Sequence, residues 1–213
     1  MKASHRLALF GGTFNPVHNG HIALARHVAA HFSLDQVAFL PCFQPVHRNV
    51  PNTSVEQRKK MIELAIEPYS ELALDCCELD RNGLSYTVET LTEKKFEHPD
   101  SVLYWIMGAD SFNSFLCWKN PEVILQLAHL IVCTRPDISI DETIYPLHYA
   151  KNDDDLISNQ YGKISFYQEL DNPCSSTRIR QQLASANATE NPFLRQCLPQ
   201  PVLEFTQLYK LYE

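Results

Sequence analysis

Glycine is scarce in this chain: six residues in 213. Three of the six, Gly11, Gly12 and Gly20, fall within residues 11–20. Gathering the residue without a Cβ into one short stretch points to close backbone approach there. Positive charge is also short. Lys and Arg number 18 against 25 Asp and Glu, a formal charge of −7, and such a chain lacks the basic face that general nucleic-acid binding needs. No apolar run approaches the roughly 18–20 residues of a membrane span, and the apolar part of MKASHRLALFGG is too short for a signal peptide. No CxxC pair occurs among the seven cysteines (42, 76, 77, 117, 133, 174 and 197). Their odd number, with four in apolar stretches, reads as free thiols in a reducing compartment, so a cytosolic protein is expected. The common phosphate signatures are missing too. There is no GxxxxGK[ST], and GGTFNPVHNG does not spell GxGxxG, which argues against a Walker ATPase and a standard dinucleotide dehydrogenase.

What is present is an ordinary soluble composition, 45% hydrophobic and 20% charged, of a length that suits one α/β domain over residues 1–213. Arg6 to Phe10 reads as a buried strand ending at Gly11-Gly12. From His21 the apolar positions Ile22, Ala25, Val28, Ala29 and Phe32 recur at helical spacing. Gln36–Leu40 reads as a second strand, and Ser54 with Gln57 makes a capping-box start for a helix to about Ile66. Leu72–Leu74, a helix near Tyr86–Phe96, and the apolar strand Val102–Met107 continue the alternation. Asn120-Pro121-Glu122 supplies a cap, a first-turn proline and an acid for another helix, and His129–Cys133 is the next strand. Residues 137–160 hold six acids against Lys151, lack periodicity and read as an acidic surface excursion. Ile164–Phe166 is a strand, followed by helices at about Ser176–Ala184 and Val202–Leu211. Strands alternating with helices imply a Rossmann-like, doubly wound parallel sheet with ligands at the carboxyl ends of its strands.

Two clusters carry chemistry. A helix starting near Asn19 or Gly20 points free N–H groups and its positive dipole end at the glycine loop, a seat for phosphate, with His18 and His21 flanking it. Taken alone, a histidine pair three apart is more often two surface residues; beside a glycine loop at a strand end the anion reading prevails. A zinc site using His47 as a further ligand ranks lower, because no cysteine or acid stands at metal-ligand spacing. The second cluster is PCSSTRIRQQL, residues 173–183. There Ser175, Ser176 and Thr177 open a helix carrying Arg178 and Arg180, a source of hydroxyl, amide and bidentate guanidinium donors for phosphate. An ordinary Ser/Thr cap with solvated arginines is the bland alternative.

GGTFNPVHNGH together with SSTRIR resembles the nucleotidyltransferase superfamily marked by an HxGH motif. The order HxGH loop, PCFQPVHR, SYTVETL, GADS, FLCWKNPEVIL, VCTRP and SSTRIR is similar to the bacterial nicotinate-mononucleotide adenylyltransferases over nearly the whole chain. The resemblance implies that His18 and His21 contact ATP phosphates and that Gly11, Gly12, Thr13 and Phe14 line the nucleotide. It implies that Ser176, Thr177 and Arg180 hold the triphosphate and that Asp110 meets the ribose. On the acceptor side it implies Trp118 as a stacking surface, Thr87 and the backbone near Lys119 at the nicotinate carboxylate, and His47, Arg48 and Arg135 closing over substrate phosphate. Without the resemblance, Asp110 would be a helix cap and Trp118 a core aromatic. Three residues depart from the pattern: Asn15 stands where Asp is common, Cys174 where Ile is usual, and Lys119 where an aromatic is frequent.

The implied reaction transfers AMP from ATP to nicotinate mononucleotide, with Mg²⁺ held mainly by the ATP phosphates rather than by protein ligands. The acceptor phosphate is already an anion and needs no general base, so aligned donors suffice. The alternatives are an adenylyltransferase for another phosphate ester such as phosphopantetheine, and a non-catalytic sensor of adenine dinucleotides. Partners are expected to be small molecules, with no nucleic acid or membrane, and a homo-oligomer is compatible with the sequence.

Overall fold

Apolar runs buried on both faces form the four interior strands of one six-stranded sheet, and two shorter or more exposed strands close its edges. In the computed structural model, which describes residues 5–44, 53–135, 138–168, 172–185 and 191–212, the strands are β1 (Arg6–Gly12), β2 (Gln36–Pro41), β3 (Leu72–Leu74), β4 (Val102–Gly108), β5 (His129–Thr134) and β6 (Ile164–Gln168). All pairs are parallel. The order is β3-β2-β1-β4-β5-β6. Side chains alternate along β1 and β4: Ala8, Phe10, Tyr104 and Ile106 enter one core cluster, while Leu7, Leu9, Leu103 and Trp105 enter the other. A period of two with both faces buried is the pattern of a helix-covered parallel sheet.

The helices are α1 (Asn19–His31), α2 (Val55–Ile66), α3 (Cys77–Arg81), α4 (Thr87–Glu97), α5 (Ala109–Asn113), α6 (Pro121–Leu127), α7 (Asp154–Ser158), α8 (Ser176–Leu183), α9 (Pro192–Cys197) and α10 (Gln200–Leu208). α1, α2 and α8 to α10 supply the first cluster through residues such as Val28, Met61, Ile179 and Val202. α4 to α6 cover the opposite face through Leu91, Phe112 and Ile124. Each such side chain removed from water contributes about 1.5–3 kcal/mol. The expected capping box of α2 is present, with Gln57 N donating to Ser54 Oγ at 3.2 Å and Ser54 N to Gln57 Oε1 at 2.8 Å.

Several expectations change. α3, α5, α7 and α9 run for only five or six residues, too few for a helical period to register. The last helix is Gln200–Leu208 rather than Val202–Leu211. Asn120 precedes α6 in a left-handed conformation (φ 50°) and makes no side-chain cap bond. The acidic segment is anchored at both ends: Ile144 and Leu156 are buried in opposite core clusters, and Ala150 N donates to Ile164 O at 2.8 Å. Of the cysteines, Cys174 and Cys197 form a disulfide. α9 folds back onto the entry to α8, a tertiary contact that a sequence separation of 23 does not reveal. Among the described residues, no helix is long and apolar enough to cross a membrane.

Chain order along the sheet reverses between β1 and β4, its central neighbours. At such a switch point the connections leave toward opposite faces and open a crevice beyond the carboxyl ends of the strands.

Candidate active site

Beyond β1 the chain turns through Thr13 to Val17 into α1. Phe14 occupies the left-handed region (φ 47°), and its ring is buried against Phe10, Phe39 and His21, so it supports the loop from below. His18 is the N-cap of α1, and the helix start is a capping box made of two histidines. His21 N donates to His18 Nδ1 at 3.4 Å, and His18 N donates to His21 Nδ1 at 3.3 Å. With each Nδ1 accepting from backbone, the neutral rings carry their protons on Nε2. The rings stack 3.7 Å apart at 23°. Both rings line the cleft, and the His18 Nε2–H is a donor available to an anion there.

The glycines of this loop serve different purposes. A Cβ on Gly20 would lie 2.9 Å from His18 Nδ1, so only glycine lets that ring lie over the first helical turn. A Cβ on Gly11 would lie 2.6 Å from the Trp105 ring on β4, a packing demand inside the sheet. Burial, and then the charge of Arg135, lower the His18 pKa to about 4. His18 thus stands as a neutral donor at pH 7, and negative phosphates would raise that value on arrival.

The distal motif reaches the same loop. Ser176 Oγ donates to Pro16 O at 3.1 Å and Arg180 Nη1 to Asn15 O at 2.7 Å, across 160 and 165 residues. Arg180 Nη2 also donates to Thr177 Oγ1 at 3.3 Å. Ser175 caps α8 by accepting from Arg178 N at 3.3 Å. Arg178 itself packs over the Phe193 ring, which separates the two arginines of the motif. Neither α1 nor α8 has an acid in its first turn, so two positive helix ends open on one cleft with no carboxylate of their own to offset them.

That cleft encloses about 1200 Å³, more than the roughly 300–1,000 Å³ of a typical single-ligand site and enough for two substrates. Gly11, Gly12, Thr13, Ser176, Thr177 and Arg180 line it together with both histidines. Asp110, in the first turn of α5, and the exposed Arg135, just past β5, line it as well. So do Thr87, at the start of α4, and Trp118, which sets its ring edge against Phe115. Lys119 also lines the cleft, but its Nζ bonds Glu89 Oε1 at 2.6 Å and lies over the Tyr86 ring. His47 and Arg48 lie outside the described residues. No group of three His, Cys, Asp or Glu able to hold a metal occurs among the described residues.

Sequence reasoning missed Arg58. It is 1% exposed and donates to Thr13 O at 3.0 Å and Phe43 O at 3.3 Å, fastening the loop after β1 to the chain after β2. Its signal was an arginine in phase with Met61, Ile62 and Ala65 on the buried side of α2. Tyr212 and Thr53, which bond Asn15, were missed as well; they lie far from the motif in sequence.

Residues 9–182 match the family described as cytidylyltransferase-like. A protein of Legionella pneumophila (strain Lens) named "Probable nicotinate-nucleotide adenylyltransferase" is 35% identical, the match covering 98% of this chain and 100% of that protein. One of the same name from Coxiella burnetii (strain Dugway 5J108-111) is 36% identical over 97% of this chain and 98% of its own. The solved structure of Plasmodium falciparum nicotinic acid mononucleotide adenylyltransferase complexed with NaAD has a TM-score of 0.74 at 18% identity, covering 98% of this chain and 97% of that one. The last is a likeness of fold, whereas the first two span both motifs and the sequence between them at more than 30% identity. By that measure the chain belongs to the nicotinate-nucleotide adenylyltransferases, within the cytidylyltransferase-like family.

Proposed function

We propose that this nucleotidyltransferase moves AMP from ATP to nicotinate mononucleotide, releasing pyrophosphate and nicotinate adenine dinucleotide. The observation that carries the reading is the stacked His18–His21 pair, its rings held by reciprocal backbone bonds beside two helix N-termini and lining the cleft. An oxygen of the acceptor 5′-phosphate attacks the α-phosphorus of ATP, and the bond to the bridging oxygen breaks as pyrophosphate leaves. No protein nucleophile or general base is needed. The protein aligns two anions that repel each other and stabilises the charge of the transition state.

His18 and His21 donate to oxygens around the reacting phosphorus. Ser176, Thr177 and Arg180 hold the β- and γ-phosphates at the start of α8, while Arg180 keeps its bond to Asn15. Gly11, Gly12 and Thr13 pass under the nucleotide on the rigid base that Phe14 supplies, and Asp110 accepts from ribose hydroxyls. Trp118, Thr87 and the Lys119 backbone receive the pyridine ring, with Arg135, His47 and Arg48 at the acceptor phosphate. The chemistry calls for a divalent metal. We take it to be Mg²⁺ arriving as the ATP complex and held mainly by the ATP phosphates, the usual mode for a cation that keeps several waters and binds substrate phosphates.

The test is pyrophosphate release from ATP and Mg²⁺ with nicotinate mononucleotide, nicotinamide mononucleotide and phosphopantetheine offered separately. Release with the first, much slower with the second and absent with the third, is expected. ATP binding without release in all three arms would overturn the reading in favour of a nucleotide sensor.

A further inference from the structure

Three distant parts of the chain meet on one side chain in the loop that carries His18. Asn15 Oδ1 accepts from Thr53 Oγ1 at 2.7 Å, just ahead of α2, and from the Tyr212 hydroxyl at 2.6 Å, beyond α10. Its backbone carbonyl accepts from Arg180 at 2.7 Å. Thr53 is buried, and Tyr212 is half-buried at the edge of the cleft. The segment reaches this point through two left-handed residues, Lys210 (φ 49°) and Tyr212 (φ 74°), on either side of the buried Leu211. Leu211 N is tied back to Thr206 O at 2.9 Å. Non-glycine residues hold that conformation only where surrounding contacts over-determine it, so the segment is built into the site.

The stretch from Thr13 to Val17 belongs to neither strand nor helix, so no ladder of backbone bonds fixes it. Side-chain bonds decide where it lies, and His18 follows directly from it. We propose that Tyr212 and Thr53 are positioning residues for adenylyl transfer, their hydroxyls clamping Asn15 and, through it, the loop that sets His18 and Arg180. The clamp uses Asn15 only through Oδ1, as an acceptor, which a carboxylate supplies equally well. Burial pushes the Tyr212 phenol up, so the hydroxyl stays protonated and donating through neutral pH.

The inference rests on the adenylyl-transfer reading, and steady-state pyrophosphate release separates the two. A wild-type chain that binds ATP but releases no pyrophosphate overturns that reading and the clamp's catalytic role with it; an active wild type lets the variants judge the clamp alone. Tyr212→Phe and Thr53→Val each remove one neutral hydrogen bond and should lower kcat by about three- to tenfold. Asn15→Leu removes the acceptor, and a displacement of about 1 Å near reacting groups is worth about a hundredfold. Asn15→Asp should restore turnover to within about threefold of wild type. A lowered Tm in Tyr212→Phe and Asn15→Leu with kcat unchanged would make the contacts merely structural and overturn the proposal. So would an Asn15→Asp chain as slow as Asn15→Leu.

Discussion

His18 and His129 stand at opposite ends of the same sheet. One lies beyond the carboxyl end of β1; the other opens β5 at its amino end. Both rings are buried, and burial is the main cause that lowers each pKa to about 4. Both accept a backbone N–H at Nδ1: His129 from Lys163 N at 3.1 Å, His18 from His21 N at 3.4 Å. They part at the second nitrogen. His129 Nε2 meets Asn159 O at 3.0 Å, so its capacity is spent inside the fold, whereas the His18 ring lines the cleft. Burial and a perturbed pKa are common to both histidines; what distinguishes them is that the second nitrogen of His129 is consumed by the protein, whereas the His18 ring faces the cleft, which fits the ligand role proposed for it.

Replacing each histidine separates the two roles. His18→Ala should lower kcat about a hundredfold or more, since one oriented donor at a transition state is worth on the order of 2.7–4 kcal/mol, while urea unfolding shows only the loss of the α1 N-cap, about 1 kcal/mol. His129→Ala should do the reverse. It leaves Lys163 N and Asn159 O without their partner and opens a cavity, costing about 3 kcal/mol of stability, with turnover nearly intact at temperatures where the chain stays folded. If His18→Ala kept near wild-type turnover, the distinction drawn from the second nitrogen would fail.

Acid sharpens what the two have in common. Both folded values lie below the ordinary 6.5, so as pH falls the unfolded chain takes up protons first. Stability from keeping each ring neutral is therefore fully present above about pH 6.5 and is lost as pH drops toward about 4. Near pH 5 the loss should be about 2 kcal/mol per ring. Unfolding free energies measured between about pH 8 and pH 5 should show a slope approaching two protons, and His18→Ala should remove one of them.

Within the glycine loop the same contrast recurs on a smaller scale. Gly20→Ala puts a Cβ against the His18 ring while giving α1 a better helix former. Turnover should fall about tenfold, a cost of about 1.4 kcal/mol, with thermal stability equal or higher. Gly11→Ala places its Cβ against the buried Trp105 and should be felt in Tm. A Gly20→Ala chain with wild-type kcat would mean that the ring position seen here is not the working one.

The sheet was legible because its strands are buried on both faces: the apolar runs at Arg6–Phe10, Val102–Met107 and His129–Cys133 need no tertiary information to be read. The histidine loop was legible because glycine is rare elsewhere and clustered there. What the sequence could not display were contacts that depend on where distant segments land. Tyr212 and Thr53 meet at Asn15, Cys174 meets Cys197, and Arg58 reaches two carbonyls from a helix that looks merely amphipathic. The reciprocal capping by two histidines was also hidden, because the usual signal for such a box is Ser or Thr followed by Glu or Gln.

Lys119 tests the acceptor end, where the comparison with the phosphate end is plainest. At the proposed phosphate end the donors are tied to backbone, as in the His18–His21 cap and the Arg180 bond to Asn15 O; at the proposed acceptor end the one lysine is exposed, its ammonium drawn sideways by Glu89 and the Tyr86 ring. A charge already paired on the surface contributes little to a ligand unless it changes partner. Lys119→Ala should therefore change the KM for nicotinate mononucleotide by less than about threefold, the smallest effect expected here, because the backbone beside it remains in place. A tenfold or larger rise in that KM, absent with nicotinamide mononucleotide, would show that the ammonium leaves Glu89 to meet the substrate carboxylate. The choice between the two acceptors would then rest on a side chain rather than on backbone donors.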